Sequence, residues 1–136
     1  VLDLAPTALR NLMKRMAKLQ LPVPVAVRAP VEQMPLASDQ FDAVTCFDTL
    51  PQCKHCRQAL EEIHRVLKPG GICGMNVFTP RDCAFGEGER IAPRTFLYRR
   101  TLFHFFEEDD MVALCGGLLD IMSVECSSWE DPPHIP

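Results

Sequence analysis

The strongest constraint on the fold lies in residues 56–78, where a helix, its stop and a strand follow one another without a spacer. From Cys56 to Leu67 the apolar residues Leu60, Ile63, Val66 and Leu67 recur at three- and four-residue spacing. That is the period of one buried helical stripe. Glu61, Glu62, Arg65 and Lys68 occupy the remaining positions and are expected to face water. Pro69-Gly70-Gly71 ends the helix, and cations in its last turn complement the helix dipole. Ile72 to Phe78 then reads as a strand in which glycine and cysteine permit close approach.

The rest of the chain alternates in the same way. Val1 to Ala5 reads as a short strand, and Pro6 opens a helix expected over Thr7–Gln20. Its apolar face is Leu9, Leu12, Met13, Met16 and Leu19. Arg10, Lys14, Arg15 and Lys18 line the other, more simply a solvated face than a phosphate site. Leu21–Val27 is β-branched, but Pro22 and Pro24 cannot donate to a ladder, so it is placed at a sheet edge. Phe41–Phe47 is an apolar strand bounded by turn residues. Thr79–Leu97 shows no period and reads as a long mobile loop. Four aromatics follow between Tyr98 and Phe106, then an acid-led helix through Cys115, stopped by Gly116-Gly117. A last strand is expected over Leu118–Cys126, with residues 129–134 as a tail. Strands alternating with helices imply an α/β, doubly wound, mostly parallel sheet. Ligands of such sheets bind at the carboxyl ends of strands, here Asp3, Leu4, Pro30–Glu32, Cys46–Asp48 and Asn76–Thr79.

Composition narrows the function classes. A chain of 136 residues with 47% hydrophobic and 24% charged residues is an ordinary globular composition, not a disordered one. No apolar run reaches the ~18 residues of a membrane span, and a net charge of −4 gives no general drive toward nucleic acid or an anionic membrane. The seven cysteines are odd in number, and several, like Cys73, lie in apolar stretches. They read as buried free thiols of a reducing, cytoplasmic compartment. Cys53-Lys54-His55-Cys56 is a single pair without the second pair a structural zinc site needs, so no metal is expected. Its position before a helix leaves thiol redox chemistry open.

Three stretches in order carry a family resemblance. Val31-Glu32-Gln33-Met34-Pro35-Leu36 with Ser38-Asp39-Gln40-Phe41-Asp42-Ala43-Val44 resembles the acidic loop, turn and "FD-x-V" fourth strand of the class I S-adenosylmethionine-dependent methyltransferases of small-molecule type. Ala59 to Gly71 is similar to the "EI-x-RVLKPGG" helix and turn of that family, and Gly71–Thr79 sits where its fifth strand belongs. Asp3-Leu4-Ala5-Pro6-Thr7-Ala8-Leu9 matches the end of the family's second strand and the following helix start. It matches the glycine-rich first strand less well, since no glycine follows Asp3 before Gly70. On that placement residues 1–136 form a partial methyltransferase-like domain running from the second strand to the sixth. The Rossmann-like fold would be incomplete at both ends. Two explanations stay open. Either the chain, with its Met-less Val1 and abrupt Pro136, is part of a longer protein, or it closes the gaps by re-pairing or as a homo-oligomer.

The resemblance implies S-adenosyl-L-methionine as cofactor, with Asp3 on its ribose hydroxyls and Leu4 on the adenine. Val31 would offer an N–H to the adenine ring, and Glu32 is the nearest carboxylate. Pro30 stands where the family has an acid, so adenine recognition departs from the pattern there. Cys46, Phe47 and Asp48 resemble the segment lining the methionine moiety. No general base is named; among His55, His64, His104 and His134, His104 is the candidate nearest an acceptor. The expected activity is methyl transfer to a small-molecule acceptor lying beneath Thr79–Phe106. Arg81, Arg90, Arg94, Arg99 and Arg100 would favour an acidic acceptor, although solvated loop cations explain them equally. The rival reading is a catalytically inactive methyltransferase-like binding module.

Overall fold

The apolar stripe in residues 56–67 folds as expected into helix α2 (Cys56–Val66), and Leu67 begins strand β4 (Leu67–Met75) with no linker. The reversal is made by Gly70, whose φ of +78° is least costly for a residue without a Cβ, and by Gly71. A Cβ on Gly71 would lie 2.8 Å from the Lys68 carbonyl oxygen and 3.1 Å from that of Asp42. The computed structural model describes residues 1–128; residues 129–136, including the tail and His134, lie outside the described residues.

Strand β1 (Leu2–Asp3) leads through helix α1 (Pro6–Lys18) to strand β2 (Val27–Arg28), which pairs parallel with β1. Pro6 sits in the first turn of α1, and Leu9 is its buried residue. The strand expected over Leu21–Val27 shrinks to Val27–Arg28. With Pro22 and Pro24 unable to donate, residues 21–26 take no regular form. Strand β3 (Phe41–Cys46) pairs parallel with β4, Val44 opposite Cys73 and Cys46 opposite Met75. This face of the pair packs on α2. Leu50, Leu60 and Ile63 are essentially solvent-free there, each contributing about 1.5–3 kcal/mol. The alternate residues Ala43, Thr45, Ile72 and Gly74 lie on the opposite face, which is open: Ile72 is 68% exposed.

The segment read as a mobile loop, Thr79–Leu97, is without a strand only as far as Gly88. Strands β5 (Glu89–Ala92), β6 (Thr95–Tyr98) and β7 (Thr101–His104) form an antiparallel sheet. Edge-to-face contacts among Phe85, Phe96 and Phe105 hold one of its faces, with centroids 5.2–5.9 Å apart. Phe106 N–H donates to the Phe78 carbonyl, fastening the sheet to the segment after β4. Helix α3 (Glu108–Cys115) follows, its first turn acidic and its C-terminal carbonyls at Leu114 and Gly116 capped by Arg57 from α2. No strand forms over Leu118–Cys126. Met122 and Val124 are exposed there, and no strand among the described residues receives their backbone groups. The architecture is α/β with two separate parallel pairs, β1–β2 and β3–β4, and an added antiparallel sheet.

Candidate functional site

The carboxyl ends of the parallel strands carry the expected residues. Asp3 closes β1 in the open. One carboxylate oxygen accepts the Ala5 N–H at 2.8 Å, and the other has no partner among the described residues. Its backbone carbonyl accepts the Ala29 N–H, which ties the start of the 29–36 loop to the end of β1 and brings Pro30 and Val31 beside Asp3. Leu4 is 60% exposed, an apolar side chain in water at a strand end. Pro30 is exposed and has neither a charge nor an N–H to offer. Val31 is half-buried, and its N–H has no acceptor among the described residues.

A second set lies at the ends of β3 and β4. Cys46 is buried, whereas Phe47 is 61% exposed. Asp48 adopts a left-handed backbone, φ +52°, and is locked to Asn76 reciprocally. Asp48 N–H donates to Asn76 Oδ1 at 2.6 Å, and Asn76 Nδ2 donates to Asp48 Oδ1 at 2.7 Å. Asn76 thus joins the two strand ends; its position after β4 marks it in the sequence, but nothing there reveals its partner. Val31 packs on the core that contains Cys46, so the two sets share a wall. No hydrogen bond among the described residues links Asp3 or Leu4 directly to Cys46, Phe47 or Asp48.

Helix α2 positions the loop between them. The sequence pattern places Glu62 and Arg65 in water, but both turn onto residues 32–38 instead. Glu62 accepts the Met34 N–H at 2.7 Å and two guanidinium donors of Arg65 at 2.6 and 2.9 Å. Arg65 donates in turn to the carbonyls of Leu36 at 2.7 Å and Met34 at 3.0 Å. One helical turn earlier, Gln58 donates to the Glu32 carbonyl at 3.2 Å. Three side chains at helical spacing therefore hold the loop's backbone. The hydrogen bonds from Arg65 hold the Glu62 carboxyl below its ordinary value.

The remaining candidates separate. His104 has both ring nitrogens engaged, one at 3.0 Å from Thr95 Oγ1 and the other at 2.7 Å from the Cys53 carbonyl. It anchors β7 to the 3-10 turn Leu50–Gln52 and has no free nitrogen with which to serve as a general base. His55 and His64 are exposed on α2 and at its start. Burial, aided by the nearby Glu32 charge, pushes the Cys53 thiol up to about 12. Burial likewise raises Cys56. Thiols so protonated are poor redox nucleophiles, and no cluster of metal-ligand side chains occurs among the described residues.

Comparison with known proteins bears on the family and the fold. Residues 1–75 match the model of a family described as a methyltransferase domain. The chain is 33% identical over 96 residues to a ubiquinone/menaquinone biosynthesis C-methyltransferase from Geotalea daltonii, covering 70% of this chain; it spans about a third (34%) of that relative's length. A solved S-adenosylmethionine-dependent methyltransferase from Methanosarcina mazei superposes with a TM-score of 0.69 at 18% identity, over 83% of this chain and 64% of the other. A [4+2]-cyclase superposes with a TM-score of 0.56 at 23% identity, over 65% of this chain and 34% of its own, sharing the fold alone. By its family match over more than half its length, the chain belongs to the class I S-adenosylmethionine-dependent methyltransferase family.

Proposed function

We propose that the protein transfers a methyl group from S-adenosylmethionine to a small-molecule acceptor. The observation that carries this reading is the open carboxylate of Asp3 at the end of a parallel strand, with the 30–32 loop fastened beside it. The residues fit the nucleoside half of the cofactor. The Asp3 carboxylate oxygen without a partner among the described residues can take a ribose hydroxyl, Leu4 supplies an apolar plate, and the Val31 N–H is a donor without an acceptor among those residues. When bound, the cofactor supplies an electrophilic methyl group on a sulfonium. The protein's part is placement: Gln58, Glu62 and Arg65 fix the loop, and the Asp48–Asn76 pair fixes the strand ends. In-line positioning in a shielded site supplies large rate factors by itself, in keeping with a site where His104 is fully engaged. A net charge of −4 supports a small-molecule acceptor over nucleic acid, and the free thiols support a reducing compartment such as the cytoplasm. No described helix is long and apolar enough to cross a membrane. A catalytically inactive binding module is the second reading, favoured by Pro30 in place of an acid.

Calorimetric titration with S-adenosylhomocysteine tests the proposal. Binding by the wild-type chain, weakened about tenfold or more by Asp3→Asn, is expected from loss of a charged hydrogen bond. No heat at millimolar ligand, or equal affinity in the variant, refutes it.

A further inference from the structure

Three arginines of residues 79–106 are sorted by the fold. Arg94 is spent on Asp110, its Nη2 lying 2.6 Å from both carboxylate oxygens. Arg99 lies over the ring of Tyr98, 5.1 Å from its centroid. Arg100 instead lines a groove of about 580 Å³ between the antiparallel sheet and the Leu50–Gln52 turn, which Lys54 also lines. Among the described residues neither Arg100 nor Lys54 has an ion-pair partner, and none of the residues lining the groove carries a carboxylate. The groove is in the size range of a small-molecule site.

Strand register sorts the two faces of the sheet. Thr95 opposes His104 and Leu97 opposes Leu102, so these four share one face; Phe96 and Phe103 lie on the other, which the phenylalanine cluster consumes. On the groove side, Leu102 and Ile91 give an apolar floor, and His104, bonded to Thr95 and the Cys53 carbonyl, pins the floor to the wall. The β6–β7 turn holds a further sign. Its two central residues are Arg99 and Arg100, both with positive φ, +48° and +67°. Two-residue hairpins of this kind favour Asn-Gly, because a Cβ is disfavoured there. Backbone strain kept at an exposed tip is characteristic of functional positions.

We infer that this groove binds a small anionic amphiphile, with Arg100 and Lys54 on its charged head and Leu102 and Ile91 beneath its apolar part. The groove rests on geometry alone; identifying its occupant as the methyl acceptor rests on the proposed methyl transfer. One residue, Thr49, separates the Cys46–Asp48 segment from the Leu50–Gln52 turn that borders the groove.

The test uses octanoate, octyl phosphate and uncharged 1-octanol as probes, with calorimetry for affinity and amide NMR shifts for location. No methyl donor is present, so the result is independent of the S-adenosylhomocysteine titration. At least one anionic probe is expected to bind about tenfold tighter than octanol, with shifts at Arg100, Thr101 and Leu102. The two anions distinguish a carboxylate head from a phosphate. The double variant Arg99→Asn/Arg100→Gly should weaken the anion about tenfold while its thermal midpoint rises, because the turn is relieved; Lys54→Gln should weaken binding without altering the turn. Equal binding of octanol, undiminished binding in the double variant, or shifts confined to Ala43 and Ile72 on the open β3–β4 face overturns the inference.

Discussion

Glu62→Gln tests the clamp that α2 places on the 32–38 loop. The carboxylate accepts three hydrogen bonds, two from Arg65 and one from the Met34 N–H, with its side chain 18% exposed. Glutamine keeps the shape but offers one acceptor atom, and its NH₂ then faces donors. A net charge-assisted hydrogen bond is worth about 1.5–3 kcal/mol; allowing for one retained bond and partial exposure, a loss of about 1.5–2.5 kcal/mol follows at pH 7. For a chain of 136 residues this lowers the thermal midpoint by about 5–10 °C. The pH dependence carries the sign. The Glu62 carboxyl is held below its ordinary value of 4.5 in the folded state, so its stabilisation is fully present above that value. It is lost as pH falls through the lower folded value. Urea melts of wild type and variant should therefore differ at pH 7 and converge as the pH falls through the folded value of Glu62. Equal stability at pH 7, or a gap undiminished in acid, would show that Glu62 does not hold the loop through its charge.

Gly71→Ala should destabilise by about 1–3 kcal/mol in urea melts, because the new methyl would meet two backbone carbonyls; Gly74→Ala, with nothing within 4 Å, is the matched control and should change little. An Ellman-type thiol titration at pH 8 should show Cys83 and Cys126, both exposed, reacting first. Cys46, Cys53, Cys73 and Cys115, all raised by burial, should stay protected until the chain unfolds. Fast reaction of Cys53 in native protein would contradict its burial.

Local signals determined how much of the fold was legible. The unit from Cys56 to Met75 was readable because its period, stop and glycines all point the same way, and α1 because proline marks its start. Leu118–Cys126 misled because apolar content makes a strand only where a neighbour pairs with it, and none does among the described residues. The β5–β7 sheet was hidden for the opposite reason: Thr95–Tyr98 and Thr101–His104 are β-prone, yet Arg99-Arg100 between them carries no turn signal. Glu62 and Arg65 illustrate the limit for the site. An acid and a base three apart on a helix have the same sequence whether they meet water or a loop. Only the return of residues 32–38 along α2 decides, and that return is a long-range contact with no local period.

The misread turn and the misread ion pair have a common physical basis. In each, a charged residue occupies a place that local preference would give to something else: arginine where Asn-Gly is favoured, and a half-buried carboxylate where a helix surface would leave it in water. The carboxylate is matched at once, by three donors within 2.9 Å, so its placement is explained by the loop it secures. Arg100 and Lys54 are matched by nothing among the described residues. Two like charges left facing one cavity repel each other, and the turn beneath one of them adds strain. An arrangement disfavoured on both counts becomes favourable when an anion sits between the charges, which is why replacing Arg99-Arg100 should raise stability and lower binding together.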